Sequence, residues 1–110
     1  MKKEKKSHVE DAGFRAARHL GEMAEAETLR LLADRHAAHG VIPASRLAAA
    51  AQDVRTTIAD FERSPSGPSS RNALVLALVR HACTDRLRRI ARRIDAAAAE
   101  PRDLPLGEIS

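Results

Sequence analysis

The chain has 110 residues, a formal net charge of +4, one cysteine, no tryptophan or tyrosine, and two phenylalanines, Phe14 and Phe61. That length suits one domain and not two. A lone cysteine excludes an intrachain disulfide and fits a reducing compartment. The scarcity of aromatic rings argues against a single-strand nucleic-acid binder, which stacks bases on such side chains.

Alanine occupies 22 positions, nearly as many as the 23 held by Ile, Leu, Val and Phe together. At roughly 25 cal/mol per Å² of buried apolar surface, an alanine-rich interior is lean, and pairing with a second copy would enlarge it. Alanine also favours helix more than any other residue. Basic residues open the chain, but no apolar stretch follows them as a signal peptide requires. The longest strongly apolar run, Ala73 to Val79, is too short to cross a bilayer. We expect a cytoplasmic protein of bacterial character with no membrane partner.

In chain order, residues 1–6 form a charged lead-in expected to be disordered. Ser7 and Glu10 have capping-box spacing. A helix is predicted from there to His39, with Gly40 just beyond it. Its inward stripe is predicted as Gly13, Ala17, Leu20, Ala24, Thr28 and Leu31, with Leu32 alongside. Gly13 and Gly21 leave open whether this helix is continuous or split in two. Pro43 or Ser45 starts a second helix ending near Glu62. Its stripe Leu47, Ala51, Val54, Ile58, Phe61 follows the 4, 3, 4, 3 spacing of one helical face.

Residues 64–70, rich in serine and proline, read as a loop, with Ser69 or Ser70 capping a third helix. That helix carries the stripe Leu76, Val79, Cys83, Leu87, Ile90, Ile94, Ala97. A second apolar face, Val75, Leu78 and Ala82, exists only in its first half and is the candidate interface. Pro101 and Pro105 end the helical pattern. Residues 100–110 are expected to be an irregular tail, and no strand is predicted. The fold expected is all-α: an antiparallel three-helix bundle, or four-helix if the first helix splits, spanning residues 7–99 and completed by dimerisation.

Four constellations invite a functional reading. Arg86, Arg88, Arg89, Arg92 and Arg93 form a strip that could meet an anionic partner, although Asp85 and Asp95 are spaced to pair with part of it. A helix-turn-helix around Gly40 would bury Arg35, His39 and Arg46, which is costly. His8, His19, His36, His39 and His81 lie off the inward stripes and offer no compact four-ligand spacing. Cys83 sits on the core stripe and reads as a small buried hydrophobe. No catalytic, cofactor-binding or metal-binding residue is assigned. The first expectation is a non-catalytic helical adaptor or regulatory protein, homodimeric, acting through a protein partner. The alternatives are a nucleic-acid-binding regulator using the arginine strip and a metal-binding helical bundle.

Overall fold

The computed structural model describes the backbone of residues 2–63 and 70–109, and the side chains of residues 13–63 and 75–109. It is mostly helical, with three helices of which two pack against the third. They are α1 (Lys2–Arg35), α2 (Leu47–Arg63) and α3 (Ser70–Ala99). Two-residue strands β1 (Val41–Ile42) and β2 (Leu104–Pro105) and the short 3-10 turns Ala44–Arg46 and Leu106–Glu108 complete it. The interhelical contacts run up, down and up. Phe14 and Arg18 lie beside Leu78 and Ala82, and Glu25 reaches Arg86. By contrast, Glu62 of α2 meets Arg88 and Arg55 meets Asp95. α2 therefore runs opposite to its two neighbours.

α1 begins at Lys2 and is one continuous helix, so residues 2–6 belong to it and Ser7 stands inside it. The side chains of Ser7 and Glu10, like the loop at residues 64–69, lie outside the described residues. At its other end α1 stops at Arg35, short of the predicted His39. The N–H groups of His36 and Ala37 both turn to the carbonyl of Leu32. Ala38 and Val41 then exchange two backbone hydrogen bonds around His39 and Gly40, whose φ angles are 54° and 77°. Two central residues at positive φ are what a two-residue type I′ turn requires. A tight hairpin corner thus replaces both the helical end at Gly40 and the helix-turn-helix.

The face of α1 that packs inward is Ala17, Gly21, Thr28 and Leu32, with buried His36 just past its end, whereas Leu20 and Leu31 of the predicted stripe are exposed. The stripe is turned by roughly 50°, half a residue's rotation. Small residues decide it: a Cβ on Gly21 would lie 3.2 Å from the carbonyl oxygen of Ala82, so the glycine lets α3 approach where a leucine could not. In α2, Leu47, Ala51, Val54 and Ile58 are buried as predicted, and Ala50 joins them. In α3 the predicted stripe is buried from Cys83 to Ala97, while Leu76 is exposed.

The tail corrects the expectation of irregular chain and of no strands. β2 pairs antiparallel with β1, Val41 opposite Pro105 and Ile42 opposite Leu104. Leu104 and Ile109 enter the same core as Leu32, Ile42, Leu47, Leu87, Ile90 and Ile94. Pro105 ends a helix but is tolerated in an edge strand, and the paired apolar residues recruit it. The Ala44 N–H donates to Asp103 Oδ1 at 2.9 Å, and the Arg93 guanidinium donates to the Ile109 carbonyl.

The core therefore sits at one end of the molecule, where three helices and the tail meet. The other end is an arm made only of α1 and α3 among the described residues, because α2 stops at Arg63. The molecule measures 55 × 28 × 22 Å with a radius of gyration of 16.8 Å. A compact domain of this length would have about 13 Å. A 34-residue helix is about 51 Å long, so α1 alone runs nearly the full length.

Candidate interaction surface

The arm exists because the inner faces of its two helices are small. Ala17 and Gly21 of α1 sit against Ala82 of α3, and Arg86 folds over the contact. Arg86 reaches Glu25 at 2.8 Å and Glu22 at 3.6 Å, tying the helices together beside that seam. Close packing of small residues leaves the larger apolar side chains at the edges. Phe14 (59% exposed), Leu20 (42%), Met23, Val75 and Leu76 (39%) are all uncovered.

These side chains flank two sides of the arm. On the side that α2 occupies lower down, Leu31 and Thr28 face Val54 and Thr57 of α2. Leu20 lies eleven residues before Leu31, three turns along the same face. Leu76 likewise lies on the α3 face that continues through Cys83 and Leu87 into the core. Leu20 and Leu76 thus sit in the line of α2 beyond its last residue.

The opposite side of the arm is a groove of about 570 Å³ between α1 and α3. Phe14, Ala17, Leu78 and Ala82 form its apolar walls, and Arg15, Arg18, His81, Asp85, Arg86 and Arg89 its polar ones. This places two of the candidate interface residues, Leu78 and Ala82, against α1 of the same chain, which partly covers them. Val75 remains exposed. The cover comes from Phe14, Ala17 and Gly21, because the seam runs through the small residues.

The arginine strip is largely engaged within the chain. Arg86 holds α1, Arg88 reaches Glu62 of α2 at 2.5 Å, Arg89 pairs with Asp85 at 2.8 Å, and Arg93 binds the tail carbonyls. Arg92 alone of the five has no hydrogen bond or ion pair among the described residues. These residues act as clasps between elements more than as a continuous cationic surface. Sequence spacing identified only the Asp85 partner, since Glu22, Glu25 and Glu62 come from other helices.

The histidines are dispersed. The side chain of His8 lies outside the described residues, His19 and His39 are exposed, and His81 lines the groove. His36 is buried, with Nε2 2.6 Å from Asp53 Oδ2 and Nδ1 3.2 Å from the Arg46 guanidinium. A guanidinium can only donate. Nδ1 therefore accepts, and Nε2 carries the proton donated to Asp53. Arg46 also donates to the Arg35 carbonyl at 3.0 Å, capping the end of α1. His36 is thus a structural joint between α1, the corner and α2. Among the described residues no three His, Cys, Asp or Glu side chains converge as metal ligands.

Cys83 is buried on the inner face of α3. Burial pushes its thiol up from the ordinary value, with the nearby Arg86 charge pulling more weakly the other way. That keeps the sulfur protonated at neutral pH, in the opposite sense to a reactive thiolate. No helix among the described residues is long and apolar enough to cross a membrane. Compared with family models, curated proteins and solved structures, the chain matches none. Its function is therefore argued from its own geometry.

Proposed function

We propose that the protein is a non-catalytic, cytoplasmic helical adaptor or regulator that works by association, with two copies joined as a homodimer through the arm. One observation carries the reading. Phe14, Leu20, Met23, Val75 and Leu76 are exposed on the arm, at the opposite end from the buried core. Clustered exposed apolar side chains mark interaction sites more often than isolated ones do.

The place beyond the end of α2, where among the described residues nothing covers Leu20 and Leu76, suits a second copy. Two arms laid antiparallel across a two-fold axis would bury those residues mutually and complete a four-helix arrangement. The interface then moves from Leu78 and Ala82, which α1 already partly covers, to Leu20 and Leu76. The internal engagement of Arg86, Arg88, Arg89 and Arg93 favours this reading over nucleic-acid binding by the strip.

Sedimentation velocity at micromolar concentration tests it. Wild type should sediment at twice the chain mass of 12.0 kDa. The double variant Leu20→Glu, Leu76→Glu should be monomeric with its helical circular dichroism retained, since both residues lie outside the core. A monomeric wild type would overturn the dimer.

A further inference from the structure

The groove on the other side of the arm has a composition that the dimer does not use. Among the described residues its walls contain four arginines and one carboxylate, Asp85, already bound to Arg89, and Arg15 has a partner of its own. Arg86 is met by Glu22 and Glu25 from the α1 side. Arg18 has no hydrogen bond or ion pair among the described residues, and its side chain stands exposed beside Phe14 at the groove. The apolar walls run from Phe14 to Ala17 on α1 and from Leu78 to Ala82 on α3. From Leu78 to Arg89 the groove follows twelve residues of α3, about 16 Å or three helical turns.

We propose that this groove is a docking site for an acidic amphipathic helix of a partner protein. Its apolar face would lie on Phe14, Leu78 and Ala82, and its carboxylates would meet Arg18. The inference deepens the adaptor reading by giving the partner's chemistry. Shape and charge select this occupant together. A trough between two side-by-side helices accepts a third helix by its i, i+3, i+4, i+7 side chains. A half-exposed aromatic such as Phe14 is the kind of anchor that dominates helical interfaces. A second copy of the chain is a poor occupant, because two-fold symmetry would bring Arg18 of each copy to the same groove contact, and like charges across an interface oppose binding.

The test uses the full chain and a fluorescein-labelled 18-residue peptide carrying leucines at helical 3, 4 spacing, flanked by glutamates. Binding is read by fluorescence anisotropy at low and at moderate salt. The acidic peptide should bind and become helical on binding, and its counterpart with lysines in place of the glutamates should not. Arg18→Glu and Phe14→Ala should each weaken the affinity about tenfold or more, a change of about 1.4 kcal/mol. Arg92→Glu, on another face of α3, should leave it unchanged. All three substituted residues are exposed, and circular dichroism verifies that the variants remain folded.

Absence of acidic-peptide binding overturns the proposal, as does binding that is indifferent to Arg18→Glu and Phe14→Ala. A 20-base-pair duplex that binds through Arg18 where the peptide does not would replace the proposal with a nucleic-acid site. Sedimentation in the same buffers separates the two ideas: a dimer without peptide binding removes the groove and leaves the homodimeric adaptor standing.

Discussion

The most decisive single substitution is Leu104→Ala. Leu104 is only 1% exposed, stands opposite Ile42 in the β1–β2 ladder, and joins the main core. Its truncation removes buried carbon atoms and leaves a cavity. Leucine-to-alanine changes at such sites cost about 2–5 kcal/mol. The total stability of a domain is about 5–15 kcal/mol. For a chain this short, each kcal/mol shifts the melting temperature by about 4–8 °C, so a fall of 10 °C is roughly the least expected. Urea unfolding followed by circular dichroism should show a midpoint lower by about 0.7 M or more, with m near 1–3 kcal/mol/M. Glu108→Ala, at an exposed position three residues from Pro105, should stay within about 0.5 kcal/mol of wild type. A Leu104→Ala variant as stable as Glu108→Ala would refute the claim that the tail belongs to the core.

Three further outcomes follow from named contacts. Asp53→Ala deprives the buried His36 Nε2–H of its acceptor and should cost about 1–3 kcal/mol. In the double variant His36→Leu, Asp53→Ala the loss should be partly recovered; strictly additive effects would mean the two side chains do not communicate. His39 holds φ 54° beside Gly40, a conformation that is costly for most L-residues. His39→Asn should raise stability by roughly 0.5–1 kcal/mol, asparagine being favoured at that place in a type I′ turn, and a destabilised variant would contradict the turn assignment. Burial raises the Cys83 thiol above the ordinary 9.0, so the unfolded chain loses this proton first. The contribution of that shift is fully present below about pH 9 and declines as pH rises through the folded value. The difference in urea midpoint between wild type and Cys83→Ala should therefore move against wild type between about pH 7.5 and pH 10, and a pH-independent difference would indicate a solvated thiol.

The parts of the fold legible in the sequence are those where large apolar residues mark the period. Leu47, Val54 and Ile58 fix the inner face of α2, and Leu87, Ile90 and Ile94 that of lower α3. α1 was harder to orient because alanine and glycine occupy its buried seam, while Leu20 and Leu31 suggest a face turned away from it. Helical spacing cannot reveal that close backbone approach has greater weight than side-chain size. Pro101 and Pro105 correctly end α3, but nothing local shows that Leu104 pairs with Ile42, 62 positions earlier in the chain. The role of His36 is not legible in the local sequence, since Asp53, its partner, lies on the next helix. At the candidate site, Leu78 and Ala82 stand out in the sequence as a second apolar face, and in the structure α1 partly covers both. The groove was not foreseeable, because one wall of it comes from Phe14, Arg15, Ala17 and Arg18 on α1.

α1 belongs to two environments, and this divides its stability along its length. Near Thr28, Leu32 and His36 its backbone is locked among buried neighbours, and its amide protons should exchange with solvent only when the whole molecule opens. From Gly13 to Ala24 only one partner helix holds it among the described residues, so exchange there should proceed through partial opening at far lower free energy. Opening of the arm should therefore leave the base intact. A partner that must slip between or against those helices meets a segment able to yield, mounted on one that does not.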